Sequence, residues 1–203
     1  VGQIPISVRR EPIDLMSASA HKFHGPKGVG FLYVHEGVKI PSFIHGGAQE
    51  KGKRAGTENV PGIVGMAEAL RIAVLQMKQN RAREIRLRNY FMDRLLREFE
   101  RVRINGHPYQ RLPGNINISF GGVDATSLLT LLQEDGICAS AGSACSTGQT
   151  RISHVIEAIH VPDEYAVGTI RFTLGRENTR QEVDQAIRSL KKNLAILRDD
   201  EAI

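Results

Sequence analysis

Apolar side chains return at helical spacing from Ile63 to Met77, through Met66, Ala67, Leu70, Ala73 and Val74. The stripe resumes with Leu87, Phe91, Leu95 and Phe99. A period of three to four residues is what a helix with one buried face requires. Residues 61–100 are therefore predicted as one long helix or two in succession, opening at Pro61, whose missing N–H costs nothing there. Elsewhere the period drops to two. Asn115-Ile-Asn-Ile-Ser-Phe120 alternates polar and apolar, the pattern of a half-buried strand. Asp14–Ser19, Val29–Val34 and Gly168–Leu174 also read as strands, and Ile137–Ala139 as a short one.

Local signals mark the ends of these elements. Asp124 can cap a helix over Ala125–Gln133, with Gly136 as its stop. Ile152–Ile159 has helical spacing, and Thr179-Arg-Gln-Glu182 is a capping box opening a last helix that runs to about Leu197. Strands and helices alternating in this way describe a compact α/β unit. Residues 1–13 read as a polar connector with two prolines, and Gly106 to Gly114 as a loop. The chain shows no internal repeat and no low-complexity tract.

At 203 residues, 41% of them apolar, the chain can bury one large core or two small ones. A formal net charge of +5 is mild and does not by itself call for nucleic acid. The basic run Arg81, Arg83, Arg86 and Arg88 beside Glu84 reads as a solvated helix face. Two cysteines fit a reducing, cytoplasmic compartment without a disulfide framework. No apolar run long enough for a bilayer is found, and Val1-Gly-Gln-Ile-Pro-Ile has neither the basic leader nor the apolar core of a signal peptide. The chain begins like the middle of a domain.

Two stretches carry reactive groups. In the first, Ser19, His21 and Lys22 precede a turn built from Gly25, Pro26, Lys27, Gly28 and Gly30. A lysine becomes nucleophilic when partial burial or a neighbouring cation disfavours its ammonium form, and the free amine condenses with an aldehyde. Ser19 and His21 could hold an anion such as phosphate beside it. The second stretch is Cys138-Ala-Ser-Ala-Gly-Ser-Ala-Cys145-Ser-Thr-Gly148. Small neighbours leave Cys145 accessible, one requirement of a reactive thiol. Cys138, after Ile137, reads as a small buried hydrophobe. The spacing of the two does not fit a zinc pair, no further ligands are in view, and no metal site is expected. A glycine-dense loop, residues 44–59, carries Lys51, Lys53 and Arg54 and could present backbone amides and cations to an anion.

Ser19-Ala-His21-Lys22-Phe-His-Gly25-Pro26-Lys27-Gly28-Val-Gly30 closely resembles the cofactor-lysine motif of the NifS/IscS-type cysteine desulfurases, enzymes dependent on pyridoxal 5'-phosphate. The resemblance implies that Lys22 forms the Schiff base with that cofactor and that Ser19 and His21 bind its phosphate. Gly46-Gly-Ala-Gln-Glu50 to Arg54-Ala-Gly-Thr57 resembles a second stretch of the family, which implies that Thr57 reaches the phosphate of a neighbouring subunit, hence a homodimer. Ser140-Ala-Gly-Ser-Ala-Cys145 is similar to the catalytic loop, and Ser153-His154-Val155 to the segment after it. Gly168-Thr-Ile-Arg171-Phe-Thr-Leu-Gly175 resembles the strand that binds the substrate carboxylate, which implies that role for Arg171.

The fold this implies is α/β: residues 1–60 as the trailing part of a cofactor-binding large domain with a mostly parallel sheet, 61–100 as a connecting helix, and 101–203 as a C-terminal small α/β domain. The implied reaction takes sulfur from L-cysteine, leaving L-alanine and a persulfide on Cys145. That sulfur passes to an acceptor such as an iron–sulfur scaffold. In the family the groups that clamp the cofactor ring precede the position of Val1, so this chain by itself is expected to hold cofactor weakly and to be inactive unless a separate chain completes the site. A selenocysteine lyase and a non-enzymatic scaffold of the same fold are the alternatives.

Overall fold

The structure is a computed structural model and describes residues 1–141 and 152–199. The chain divides into two compact units, Val1–Lys78 and Gln79–Ile203, and the boundary falls inside a helix.

In the first unit, β1 (Leu15–Ser19) pairs antiparallel with β2 (Gly30–Val34), Leu15 opposite Val34 and Ser19 opposite Gly30. Among the described residues these two strands pair only with each other, since the other members of the mostly parallel sheet are expected to lie outside this chain. The connection, residues 20–29, is too short for a crossover and returns the chain as a hairpin. Inside it lies a single 3-10 turn, Ala20–Phe23, anchored by buried Ala20 and Phe23. His24 then adopts a left-handed conformation at φ 66°, and the Gly25 N–H donates to Ala20 O at 2.9 Å. A Cβ on Gly25 would stand 2.9 Å from that of Ala20, so the turn closes only with glycine there.

The glycine-dense loop that follows is organised. Ile44 and Arg54 form an isolated parallel bridge, and the Gly56 N–H donates to Gln49 Oε1 at 3.3 Å. Between them a short turn, α1 (Gln49–Gly52), holds Glu50 and Lys51 in the left-handed region. Then comes α2 (Val60–Glu98), 39 residues without interruption, as the apolar stripe predicts. A Cβ on Gly65 would come 2.8 Å from Pro26 Cγ, so this glycine lets the loop after the lysine turn lie against the helix.

One reading needs correction. An 18-residue window inside α2 reaches a mean hydropathy of 1.4 with no more than two charged residues, enough by length and composition to cross a membrane. No unbroken apolar run shows in the sequence because charged residues interrupt the stretch. Only 6% of that window is buried among the described residues, and length and composition alone do not place it in a membrane.

The second unit is built on an antiparallel sheet in the order β3-β4-β5. Its strands are β3 (Val102–Ile104), β4 (Asn115–Phe120) and β5 (Thr169–Thr173). At three residues, β3 is too short to display a period, and it was not foreseen. The helices are α3 (Ala125–Glu134), α4 (His154–Ala158), α5 (Asp163–Ala166) and α6 (Arg180–Asp199). Asp124 caps α3 by accepting the Ser127 N–H at 2.9 Å. Both halves of the α6 capping box form: the Thr179 N–H donates to Glu182 Oε2 at 2.7 Å and the Glu182 N–H to Thr179 Oγ1 at 3.3 Å. Ile137–Ala139 is not a strand. The Ile137 N–H still closes the end of α3, donating to Leu132 O at 2.8 Å, and ladder contact is confined to a bridge between Ser140 and Arg171.

Alternation decides what the sheet buries. Ile116, Ile118 and Phe120 of β4 and Ile170 and Phe172 of β5 point to one face. They pack with Phe91 and Leu95 of α2, Leu128 and Leu132 of α3, and Val183, Ile187 and Leu190 of α6. Each side chain of this size contributes about 1.5–3 kcal/mol when fully buried. A polar clasp joins α3 to α6. Asp135, just past α3, accepts from Ser189 Oγ at 2.6 Å, Lys192 Nζ at 2.6 Å and Asn193 Nδ2 at 3.0 Å. These hold its carboxyl down from 3.8 to about 2, the Lys192 hydrogen bond contributing most.

Ile118→Ala should lower stability in urea unfolding by about 2–5 kcal/mol, while Leu96→Ala, at an exposed α2 position, should change it by less than about 0.5 kcal/mol. Asp135 is more acidic folded than unfolded, so its contribution is complete above the unfolded value and disappears as pH falls from 3.8 towards about 2. Asp135→Asn should flatten the acid-unfolding curve in that window and leave its shape near neutrality unchanged.

Candidate functional site

The face of the sheet opposite the core is polar for the same reason that the core face is apolar. Asn117, Ser119, Thr169 and Arg171 occupy the alternate positions of β4 and β5. Asn105 Nδ2 donates to Asn117 Oδ1 and Ser119 Oγ, both at 2.7 Å, and Ser119 Oγ lies 2.7 Å from Thr169 Oγ1. Buried hydroxyls and amides are costly unless bonded in this way.

Arg171 is half-buried on this face. Its backbone exchanges hydrogen bonds with Ser140, 2.7 Å from the Arg171 N–H to Ser140 O and 3.1 Å in return. Its Nη2 donates to Ser140 Oγ at 2.9 Å. The guanidinium lines a cleft of about 720 Å³ together with His107, Arg111, Asn117, His154 and Thr169. The second arginine of the cleft is already spent. Arg111 donates to the carbonyls of Asn105, His107 and Asn115 and so staples the loop before β4. Burial pushes its guanidinium below the usual range, and the Arg88 charge adds to that. Arg171, by contrast, makes one side-chain hydrogen bond among the described residues and keeps guanidinium N–H groups for an anion. A planar fork of this kind suits a carboxylate.

In the first unit, Ser19, His21 and Lys22 come together on one turn. All three are exposed, so the desolvation that would free the Lys22 amine does not come from the described residues of that unit. A primary amine beside a hydroxyl and an imidazole fits the aldehyde and phosphate ends of pyridoxal phosphate. Thr57 is also exposed, in the stretch between α1 and α2. Cys145 lies outside the described residues. Cys138 is exposed, not buried as the sequence suggests, because the chain there is leaving the end of α3 and has no strand partner.

Asn117 was legible as the polar side of an alternating strand. Buried Asn105, half-buried Arg111 and His107, an exposed lining residue of the cleft, were not, since a loop sequence carries no period that tells which side chains meet.

The Aminotransferase class-V profile matches residues 1–186. The chain belongs to that family. Enzymes of this family use pyridoxal phosphate, which is therefore the cofactor expected here. Among curated relatives, the cysteine desulfurase IscS of Dictyoglomus turgidum is 47% identical over 198 residues, covering 98% of this chain and 50% of that protein. Cysteine desulfurase IscS of Methanosarcina thermophila is 44% identical over 199 residues, covering 98% and 49%. Among solved structures, a NifS-like protein superposes with a TM-score of 0.86 at 37% identity over 97% of this chain and 50% of its own. The NifS-like protein from Rickettsia africae gives 0.86 at 28% identity, over 96% and 51%. The chain spans about half the length of the curated relatives it matches.

Iodoacetamide should alkylate Cys138 in the folded chain as fast as in the urea-unfolded chain, read by peptide mass mapping. Protection until unfolding would restore the buried reading of this thiol.

Proposed function

We propose that the chain acts as part of a cysteine desulfurase, with L-cysteine as substrate. The observation that carries this reading is Arg171, joined by three hydrogen bonds to Ser140 at the root of the segment that bears Cys145. The proposed carboxylate anchor is thus tied, at Ser140, to the chain that leads in sequence to Cys145. The names of the relatives support the same chemistry.

Each residue has a role in this reading. Arg171 binds the substrate carboxylate in the cleft. Ser19 and His21 hold the cofactor phosphate, and Lys22 binds the aldehyde. Pyridoxal phosphate, when bound, supplies an electron sink next to the substrate α-carbon. With the cofactor in place, the Lys22 amine would take the substrate α-proton. The Cys145 thiolate attacks the substrate sulfur, a sulfur–sulfur bond forms, and the carbon–sulfur bond breaks with its electron pair left on carbon. Protonation of that carbon, with return of the α-proton from the Lys22 ammonium, gives L-alanine, and Cys145 holds the persulfide. Thr57 reaches the phosphate of a second copy, which makes the working unit a homodimer. The persulfide goes to a sulfur acceptor such as an iron–sulfur scaffold, in a reducing cytoplasm where a free thiol survives.

Borohydride reduction of the chain after incubation with pyridoxal phosphate tests the lysine. Peptide mapping should find the reduced adduct concentrated at Lys22, lost in Lys22→Ala and weakened in Ser19→Ala. Adduct spread evenly over the exposed lysines would overturn the assignment.

A further inference from the structure

A second cleft, of about 390 Å³, opens between α2 and the start of α6, away from the sheet face that carries Arg171. Its walls hold three arginines, Arg83, Arg86 and Arg180, with Leu87 and Tyr90 among the remaining lining residues and, among the described residues, no carboxylate. Arg83 and Arg86 stand one helical turn apart on α2. Arg180 is the first residue of α6.

Surface arginines usually find a carboxylate. Among the described residues, none of these three has one within ion-pairing distance, although carboxylates are near. Asp184 accepts the Tyr90 hydroxyl at 2.5 Å and Arg94 Nη1 at 2.6 Å. Glu182 is occupied by the N–H and hydroxyl of Thr179. Glu177 pairs with Arg176 at 3.0 Å. Two of the three arginines are nonetheless held in place by neutral groups. Arg83 Nη2 donates to the Asn178 carbonyl at 2.9 Å, and the Arg180 guanidinium sits 4.3 Å over the Tyr90 ring. Neither contact cancels the charge. The cleft is thus a preorganised cationic site that loses little side-chain freedom on binding an anion.

The ring decides the class of anion. A single-stranded nucleic acid needs open aromatic faces for its bases. Arg180 covers the Tyr90 face and its hydroxyl is committed to Asp184. What remains is cationic forks spaced along a helix beside an aliphatic side chain, which match carboxylates interleaved with apolar groups. We propose that this cleft is a docking site for an acidic peptide segment of a partner protein, recognised by Arg83, Arg86 and Arg180. The site is independent of the desulfurase reading, since it shares no residue with it.

The probe is a short fluorescein-labelled peptide alternating pairs of glutamate with leucine, titrated with the full chain and followed by fluorescence anisotropy. Arg86→Ala, which removes a side chain without a hydrogen bond or ion pair among the described residues, should weaken binding about fivefold without moving the melting temperature. Arg83→Ala combined with Arg86→Ala should weaken it further. Arg81→Ala removes the same charge from the same helix outside the cleft and should leave affinity unchanged. Binding should also fall as salt rises. The proposal is overturned by absence of binding at low salt, by an Arg81→Ala loss equal to that of Arg86→Ala, or by an oligothymidine that binds as tightly as the peptide.

Discussion

Side-chain alternation in two adjacent strands is the constraint on which the second unit depends. In β4 and β5, every second residue is forced to the opposite face of the sheet. Ile116, Ile118, Phe120, Ile170 and Phe172 therefore build the core, while Asn117, Ser119, Thr169 and Arg171 share the other side. The burial that stabilises this unit and the chemistry available to it are two consequences of one register. A one-residue slip would put Arg171 into the apolar core and Ile170 into the cleft. Antiparallel pairing of Asn117 with Arg171 and Ser119 with Thr169 fixes that register, and the Asn105–Ser119–Thr169 hydrogen bonds reinforce it from the polar side.

The lysine turn of the first unit rests on different physics. Here packing is thin, and the backbone does the positioning. Ala20 and Phe23 point inward, so His21 and Lys22 between them must point out. His24 in the left-handed region costs about 1–3 kcal/mol for a side chain that is not glycine. The turn persists because Gly25 bonds back to Ala20 and Gly65 leaves room for Pro26. The chain spans half the length of its relatives, and the surroundings that would desolvate Lys22 are not found among its own described residues.

The long helix shows how one run of charges can serve two purposes. Arg81, Arg83 and Arg86 are exposed, as a solvated face would be. Arg88 is only 2% exposed, and it donates to Asn89 Oδ1 and the Leu112 carbonyl. It is a structural cation holding the loop before β4, with no carboxylate in ion-pairing range among the described residues. Further along, Tyr90 and Arg94 tie α2 to Asp184 of α6. Spacing along the sequence puts these residues on a helix, but the loop before β4, which takes up Arg88, and the position of α6, which takes up Arg94, decide which arginines are spent.

Much of this molecule was written in local order. The 39-residue helix, the strand Asn115–Phe120, the Asp124 cap and the Thr179–Glu182 box follow from periods and pairings that act within a few residues. The motifs around Lys22 and Arg171 likewise announced a cofactor and a carboxylate anchor, because their residues are contiguous. The sequence did not disclose the antiparallel pairing of β1 with β2, the exposure of Cys138, the burial of Asn105 and half-burial of Arg111, or the bridge from Ser140 to Arg171. Those depend on which distant segments meet, and a hydrogen bond between residues 31 positions apart leaves no period to read. Local propensity determined the elements and the reactive groups they carry. Long-range packing alone determined which of those groups face one another, since burial and charge compensation exist only once the chain has folded.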